Sequence, residues 1–137
     1  MVTTESQALW RAIKKNSDKM LYRFFEEGLA QRKILIIQCG SCNTNYFPPR
    51  SFCPDCLTED VKLLEHSGRG KVYAFTSMVV KSSGDKPITC AMVDLEGVEG
   101  RMFTMVEAPY EKMSIGMEVE AGYIEKEDLV IPCFKPI

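Results

Sequence analysis

Apolar and polar positions divide the 137-residue chain into three stretches of different rhythm. From residue 5 to 31 the spacing is helical. Ala8, Leu9 and Ile13 recur around Trp10, and Asn16-Ser17-Asp18 then interrupts, with Ser17 or Asp18 placed to cap a second helix. In that second segment Leu21, Phe24, Phe25 and Leu29 stand at i, i+3, i+4 and i+8, which makes one apolar stripe. Gly28 disfavours a helix by about 1 kcal/mol relative to alanine, which leaves the C-terminal boundary open. No local core is evident for either helix, so the stripe predicts docking on the rest of the chain or on a partner.

Beyond residue 32 the rhythm changes to strands. Lys33–Gln38 reads as a strand leading into a turn-rich segment (Gly40, Asn43, Asn45, Pro48, Pro49, Pro54), and Asp60–Glu65 leads out of it. Strands are then predicted over Lys71–Val80, Ile88–Leu95 and Arg101–Val106. Ala91, Val93 and Leu95 share one face. A helical turn fits within Ala108–Gly116. Met117, Val119, Ala121 and Tyr123 alternate with Glu118 and Glu120, and Leu129–Phe134 closes the chain. Five short strands, with a connecting segment between the third and fourth, suit a five-stranded Greek-key barrel of the OB type. A five-stranded sandwich is the alternative. The expected fold is mainly β with N-terminal helices: a helical segment over 1–32, a metal ribbon over 33–66 and the barrel over 67–137.

The ribbon assignment rests on cysteine spacing. Cys39-Gly40-Ser41-Cys42 and Cys53-Pro54-Asp55-Cys56 are two C-x-x-C pairs, each able to close a tight loop whose sulfurs converge on one tetrahedral ion. Zn(II) and a rubredoxin-type iron both accept four thiolates. Two disulfides are the alternative, disfavoured in a chain that reads as cytoplasmic, where thiols stay reduced. A four-thiolate shell leaves no position for water or substrate, so the site would be structural and not catalytic. Such an ion supplies on the order of 10 kcal/mol to a segment too small to own a core. Cys90 and Cys133 sit in apolar surroundings and read as small buried hydrophobes. The single histidine, His66, has no spacing relation that marks a Cys–His pair.

Composition narrows the function classes. The chain holds 17 Lys and Arg against 19 Asp and Glu, and residues 67–137 hold eight against eleven, so the barrel lacks the basic field that drives nucleic-acid binding. Its aromatics, Tyr73, Phe75, Phe103, Tyr110, Tyr123 and Phe134, fall in strand alternation and read as core rather than as stacking platforms. One basic cluster stands out: Arg50 after the paired prolines, with Arg69 and Lys71 around Gly68 and Gly70, where glycine permits close approach to a phosphate. The longest apolar run, Ile34-Leu35-Ile36-Ile37, is far too short to span a bilayer, and Met1-Val2-Thr3-Thr4-Glu5 does not open like a signal peptide.

The combination of Phe24-Phe25-Glu26-Glu27-Gly28-Leu29, the cysteine ribbon, Phe47-Pro48-Pro49-Arg50 and Ser67-Gly68-Arg69-Gly70 resembles the thiolase-associated OB-fold proteins known as domain of unknown function thirty-five. Ile115-Gly116-Met117, Val119 and Ile131-Pro132 with Phe134 extend the resemblance through most of the chain. Leu57 departs from it, standing where such knuckles often place glycine. The resemblance implies a non-catalytic accessory subunit bound to a thiolase-superfamily enzyme, with CoA or acyl-CoA shared with that partner. The expected metal ligands are Cys39, Cys42, Cys53 and Cys56, holding Zn(II) with iron possible. Arg50, Arg69 and Lys71 are expected near the CoA phosphates, and Phe24, Phe25, Phe47, Pro48 and Pro49 at the partner. A stand-alone acyl-CoA-binding regulator and a single-stranded nucleic-acid-binding OB module are the alternatives.

Overall fold

The computed structural model describes residues 23–80, 84 and 86–137, without the side chains of Phe25 and Glu26. Two sheets are present among them. The first is three-stranded and antiparallel, in the order β2-β1-β3, from β1 (Ile34–Cys39), β2 (Asn45–Tyr46) and β3 (Val61–His66). The second holds β4 (Arg69–Val79), β5 (Pro87–Leu95), β6 (Arg101–Val106), β7 (Glu118–Glu120), β8 (Tyr123–Lys126) and β9 (Leu129–Pro136), in the order β6-β5-β4-β7-β9-β8. A parallel pairing of β6 with β9 closes five of these into a barrel, and β8 is a sixth strand folded back on β9 outside the closure. Closure with one parallel contact between the third and fifth barrel strands matches the Greek-key order expected of an OB barrel.

The alternation read from the sequence explains the barrel interior. Val72, Ala91, Val93, Leu95, Met102, Val106, Val119 and Phe134 are buried in one cluster, with the alternation clearest along β5 at Ala91, Val93 and Leu95. A bulge between Val72 and Ala74 lets the long β4 bend so that its start pairs with β7 while its whole length pairs with β5. The segment between β6 and β7 contains a 3-10 turn, Tyr110–Lys112, where a helical turn was expected. Two strands escape the pattern: β2, only two residues long, and β8, which the alternation through Tyr123 merged with β7.

The aromatic assignment needs correction in part. Phe134 is fully buried, but Tyr73 is 50% and Phe103 58% exposed, and Tyr110 is also exposed. Tyr73 lies outside the barrel, next to buried Val72, while the bulge that follows brings Phe75 opposite Ala91 and against the core; Arg101 covers the Tyr73 ring at 3.6 Å while bonding Asp94 at 2.7 Å.

Among the described residues, the expected N-terminal helices are not borne out. The first, around Trp10, lies outside the described residues. The described end of the second is a π-helical turn, Phe24–Gly28, followed by a 3-10 turn, Leu29–Gln31. Gly28 stands at φ −96° and ψ −87°, away from helical geometry, and packs so closely on Leu35 and the Lys33 carbonyl that a side chain there would crowd both. Arg32 then caps the turn in the left-handed region. No helix among the described residues is long and apolar enough to cross a membrane.

Ribbon and barrel share one core. The run Ile34-Leu35-Ile36-Ile37 is buried on both faces of β1: Ile34, Leu35 and Ile36 pack with Phe24, Leu29 and Phe47 into the barrel cluster, and Ile37 joins Cys39, Tyr46 and Cys53. Backbone bonds stitch the joint, from Phe47 N–H to the Glu99 carbonyl (2.9 Å) and from Glu99 N–H to the Asn45 carbonyl (2.8 Å). His66 links the same regions. Its Nδ1 accepts from the Gly68 N–H (2.9 Å), so Nε2 carries the proton donated to the Glu96 carbonyl (2.7 Å).

Gly100 makes the joint possible. Its φ is +124°, and a methyl group there would be driven into the Phe47 carbonyl oxygen, a backbone atom that cannot yield without breaking the joint. Gly97, in the same turn at φ +71°, faces open space. Gly100→Ala should therefore cost more than about 2 kcal/mol, against about 1 kcal/mol of backbone strain for Gly97→Ala. Urea unfolding of the two variants checks this, and equal losses would remove the close approach as the cause.

Candidate metal centre

The four ribbon cysteines come together by a repeated local geometry. Cys39 ends β1, and its N–H and carbonyl bond Thr44 and Asn43 respectively (3.1 and 3.0 Å), closing the first loop. Cys53 repeats this fourteen positions later, with Thr58 and Leu57 at 2.9 and 2.8 Å. The residue after the second cysteine of each pair is left-handed, Asn43 at φ 58° and Leu57 at φ 59°. Asparagine tolerates that region, whereas leucine is strained there by roughly 1–2 kcal/mol. The departure at Leu57 thus leaves the knuckle geometry unchanged and puts an apolar side chain at the loop tip.

The sulfurs all lie within 4.8 Å of one another, and Cys42 Sγ is 3.8 Å from Cys53 Sγ. A tetrahedral ion with metal–sulfur bonds of about 2.3 Å requires sulfur pairs about 3.8 Å apart. All six cysteines are free thiols, and a disulfide would need sulfurs about 2.05 Å apart. Amide N–H groups of Ser41 and Cys42 point at Cys39 Sγ (3.3 and 3.5 Å), and that of Cys56 at Cys53 Sγ (3.4 Å); against desolvation, backbone hydrogen bonds from Cys56 and Asp55 hold the Cys53 thiol below its ordinary value. Hydrogen bonds from the Thr44 side chain and backbone lower the Cys42 thiol to about 6. The shared hydrogen bond with Cys42, reinforced by desolvation, pushes Cys56 up to about 12. Four sulfurs this close resist carrying charge together without a cation between them. The set can hold one metal ion.

Cys39 and Cys53 are wholly buried while Cys42 and Cys56 are exposed, so the ribbon covers one side of the cluster. The Tyr46 hydroxyl donates to Asp55 at 2.7 Å, tying β2 to the second knuckle, and this bond to a carboxylate raises the phenol above its ordinary range. Neither residue stood out in the sequence, because the bond joins a two-residue strand to a loop. The loops present Leu57 at 73% and Phe52 at 43% exposure, with Pro48 also exposed.

The other expected site residues divide. Phe24 and Phe47 are buried against each other, ring centroids 5.3 Å apart and edge-to-face, so these expected partner contacts are made within the chain. Pro49 is also buried, and the Phe25 side chain lies outside the described set. Arg69 and Lys71 line one cleft of 450 Å³, which Arg50 does not line. That cleft also holds Asp94, Glu96 and Glu118, and in register Arg69 stands opposite Glu120 and Lys71 opposite Glu118. Cys90 is buried and Cys133 half-buried, and desolvation raises both thiols, as expected of packing residues.

Comparison with known proteins places this arrangement. Residues 27–62 match the family model of the ChsH2 rubredoxin-like zinc ribbon domain, and residues 65–123 that of the ChsH2 C-terminal OB-fold domain. Among curated proteins, the chain is 29% identical over 116 residues to a probable enoyl-CoA hydratase alpha subunit of Thermomonospora curvata, covering 82% of this chain and 36% of that one. It is 33% identical over 86 residues to a DUF35 domain-containing scaffold protein of Pyrococcus furiosus, covering 59% and 63%. It is 32% identical over 85 residues to the benzoylsuccinyl-CoA thiolase subunit BbsA of Thauera aromatica, covering 61% and 58%. The chain therefore spans less than two thirds of the length of each of these relatives. A solved structure titled Ltp2-ChsH2(DUF35) aldolase superposes with a TM-score of 0.75 at 29% identity, over 88% of this chain and 97% of that one. By ribbon, barrel and matched sequence, the chain belongs to the DUF35 family of ChsH2-type zinc-ribbon and OB-fold proteins.

Proposed function

We propose that this chain is a non-catalytic accessory subunit of a thiolase-superfamily acyl-CoA enzyme, and that Cys39, Cys42, Cys53 and Cys56 hold Zn(II) to stiffen the surface it offers that enzyme. The observation that carries the reading is a closed sulfur cluster whose loop tips expose Leu57 and Phe52. An ion with four thiolates has no position left for substrate, so its role is to hold shape. Rigid loops lose little conformational freedom on binding, which suits them to present apolar anchors. Relatives named as a thiolase subunit and as a scaffold protein support the assignment, and an aldolase complex in the family is compatible with the same role.

The contact surface moves from the expected Phe24 and Phe47, which are buried, to Pro48, Phe52 and Leu57. Arg50, Arg69 and Lys71 remain the cations assigned to the CoA phosphates. For Arg69 and Lys71 the carboxylates beside them require that further positive charge come from the partner.

Three measurements test this reading. Elemental analysis of the purified chain should give one zinc per polypeptide, and Cys53→Ser should lose most of it and lower the melting temperature. Iron in place of zinc would overturn the metal assignment. Tagged protein drawn from its native host should bring down a thiolase-type acyltransferase, and recovery alone would sink the partner. Leu57→Gly should raise stability by up to about 1 kcal/mol by removing left-handed strain. The same change should weaken capture of the partner about tenfold if the leucine is an anchor. Unchanged binding would exclude Leu57 from the interface.

A further inference from the structure

Tyr46 ties the sulfur cluster to the rest of the fold through both of its ends. Its backbone pairs with Ile37 of β1 and bridges Glu99 of the barrel, and its neighbours Asn45 and Phe47 make backbone bonds to the same Glu99. Its side chain is buried in one cluster with Ile37, Cys39 and Cys53, and so beside one cysteine from each knuckle. The hydroxyl at the far end of the ring donates to the Asp55 carboxylate at 2.7 Å. Asp55 stands inside the second C-x-x-C loop, directly before Cys56, and the Cys53 sulfur is a second acceptor within reach of the same hydroxyl.

The second knuckle needs such a tie more than the first. Cys39 is the last residue of β1, so the strand fixes its position. Cys53 and Cys56 lie in the described stretch between β2 and β3, where no strand forms. The Gly40 N–H holds the far end of that stretch at the Asp60 carbonyl (2.8 Å), and the Tyr46–Asp55 bond fastens the knuckle itself. Charge adds to the need. Four thiolates around one divalent ion carry a net charge of about −2, and the Asp55 carboxylate beside them is a like charge that repulsion would swing away. A charge-assisted hydrogen bond from a donor anchored in the ribbon core opposes that swing.

Given one zinc ion on the four thiolates, the assignment on which this role rests, we infer that Tyr46 is a positioning residue for the metal. Its hydroxyl latches Asp55, and with it the second knuckle, in the conformation that brings Cys53 and Cys56 to face Cys39 and Cys42. Opening the knuckle to let the ion go requires that latch to break first. Hydrogen bonds that orient ligands from outside the coordination shell change metal affinity by about 10- to 100-fold. The Asp55 end is exposed and open to water, which puts the expected effect at the lower end of that range.

Tyr46→Phe keeps the ring and removes only the hydroxyl. In the full chain this variant should still bind one zinc with unchanged far-UV dichroism, but lose it to a coloured chelator about tenfold faster than the unmodified chain. In the cobalt(II)-loaded chain the same change should move the thiolate-to-cobalt charge-transfer band to lower energy, because a sulfur that loses a hydrogen bond holds its electrons less tightly. Asp55→Ala, at an exposed position, should speed zinc release to the same extent, and serves alone should Tyr46→Phe fail to fold. Adding Tyr46→Phe to Asp55→Ala should then give little further acceleration, since both remove one bond. Release and cobalt spectrum both unchanged in Tyr46→Phe, with one zinc bound, would overturn the role of Tyr46 alone. Fully additive acceleration in the double variant would overturn the latch through Asp55. An unmodified chain that binds no zinc would overturn the metal assignment itself, and this role with it.

Discussion

The ribbon is too small to hold itself together by burial, and everything it presents depends on four sulfurs meeting within 4.8 Å. Its own buried cluster among the described residues is Ile37, Cys39, Tyr46 and Cys53, and two of those four are members of the sulfur set. Two loops of the same hydrogen-bond pattern, fourteen residues apart, deliver the sulfurs in pairs. That repetition makes the site a property of backbone conformation: each loop needs a left-handed residue after its second cysteine, whatever the side chain. The rest of the ribbon is tied down from outside, by β1 packing against the barrel and by Glu99, which accepts a backbone bond from Phe47 and donates one to Asn45 across the joint.

The barrel supplies the rigid body on which that small device is mounted. Five strands close through a parallel contact only two residues long, so closure is tight at one end of the β6–β9 seam and open at the other. Side chains from outside the barrel occupy the open end: Phe24 and Phe47, packed edge-to-face, form part of its wall. The same two aromatics therefore join the turn before β1, the ribbon after β2 and the barrel wall. A stripe that reads as a docking surface in one dimension is an internal seal in three.

Legibility followed the range of the interactions involved. Strands β4, β5, β6 and β9 could be read because alternation is local and the barrel enforces it with one buried face. The cysteine set could be read because its spacing encodes the loops. Strand β2 could not, since two residues carry no period and Asn45 and Tyr46 pair only because β1 is already in place. That Tyr73 and Phe75 do not share a face depended on a bulge, which shifts the face of every later residue by one and leaves no mark in an alternating sequence. The helical reading of Phe24–Gly28 gave way to tertiary packing, where the close approach of Gly28 to Leu35 outweighs the period of the stripe.

Electrostatics sets the terms on which the proposed phosphate contact of Arg69 and Lys71 would form. Arg69 and Lys71 alternate on one strand and line one cleft, the arrangement a phosphate needs, yet register places a carboxylate opposite each. A phosphate entering that cleft alone would meet Asp94, Glu96 and Glu118 at short range, and the net field would oppose it. Positive charge brought by a partner changes the sign of the balance, because the carboxylates would then pair with the partner and free the cations of this chain for the ligand. A cleft of this kind favours binding only in the assembled state, which is the behaviour expected of a subunit that shapes a site without owning it.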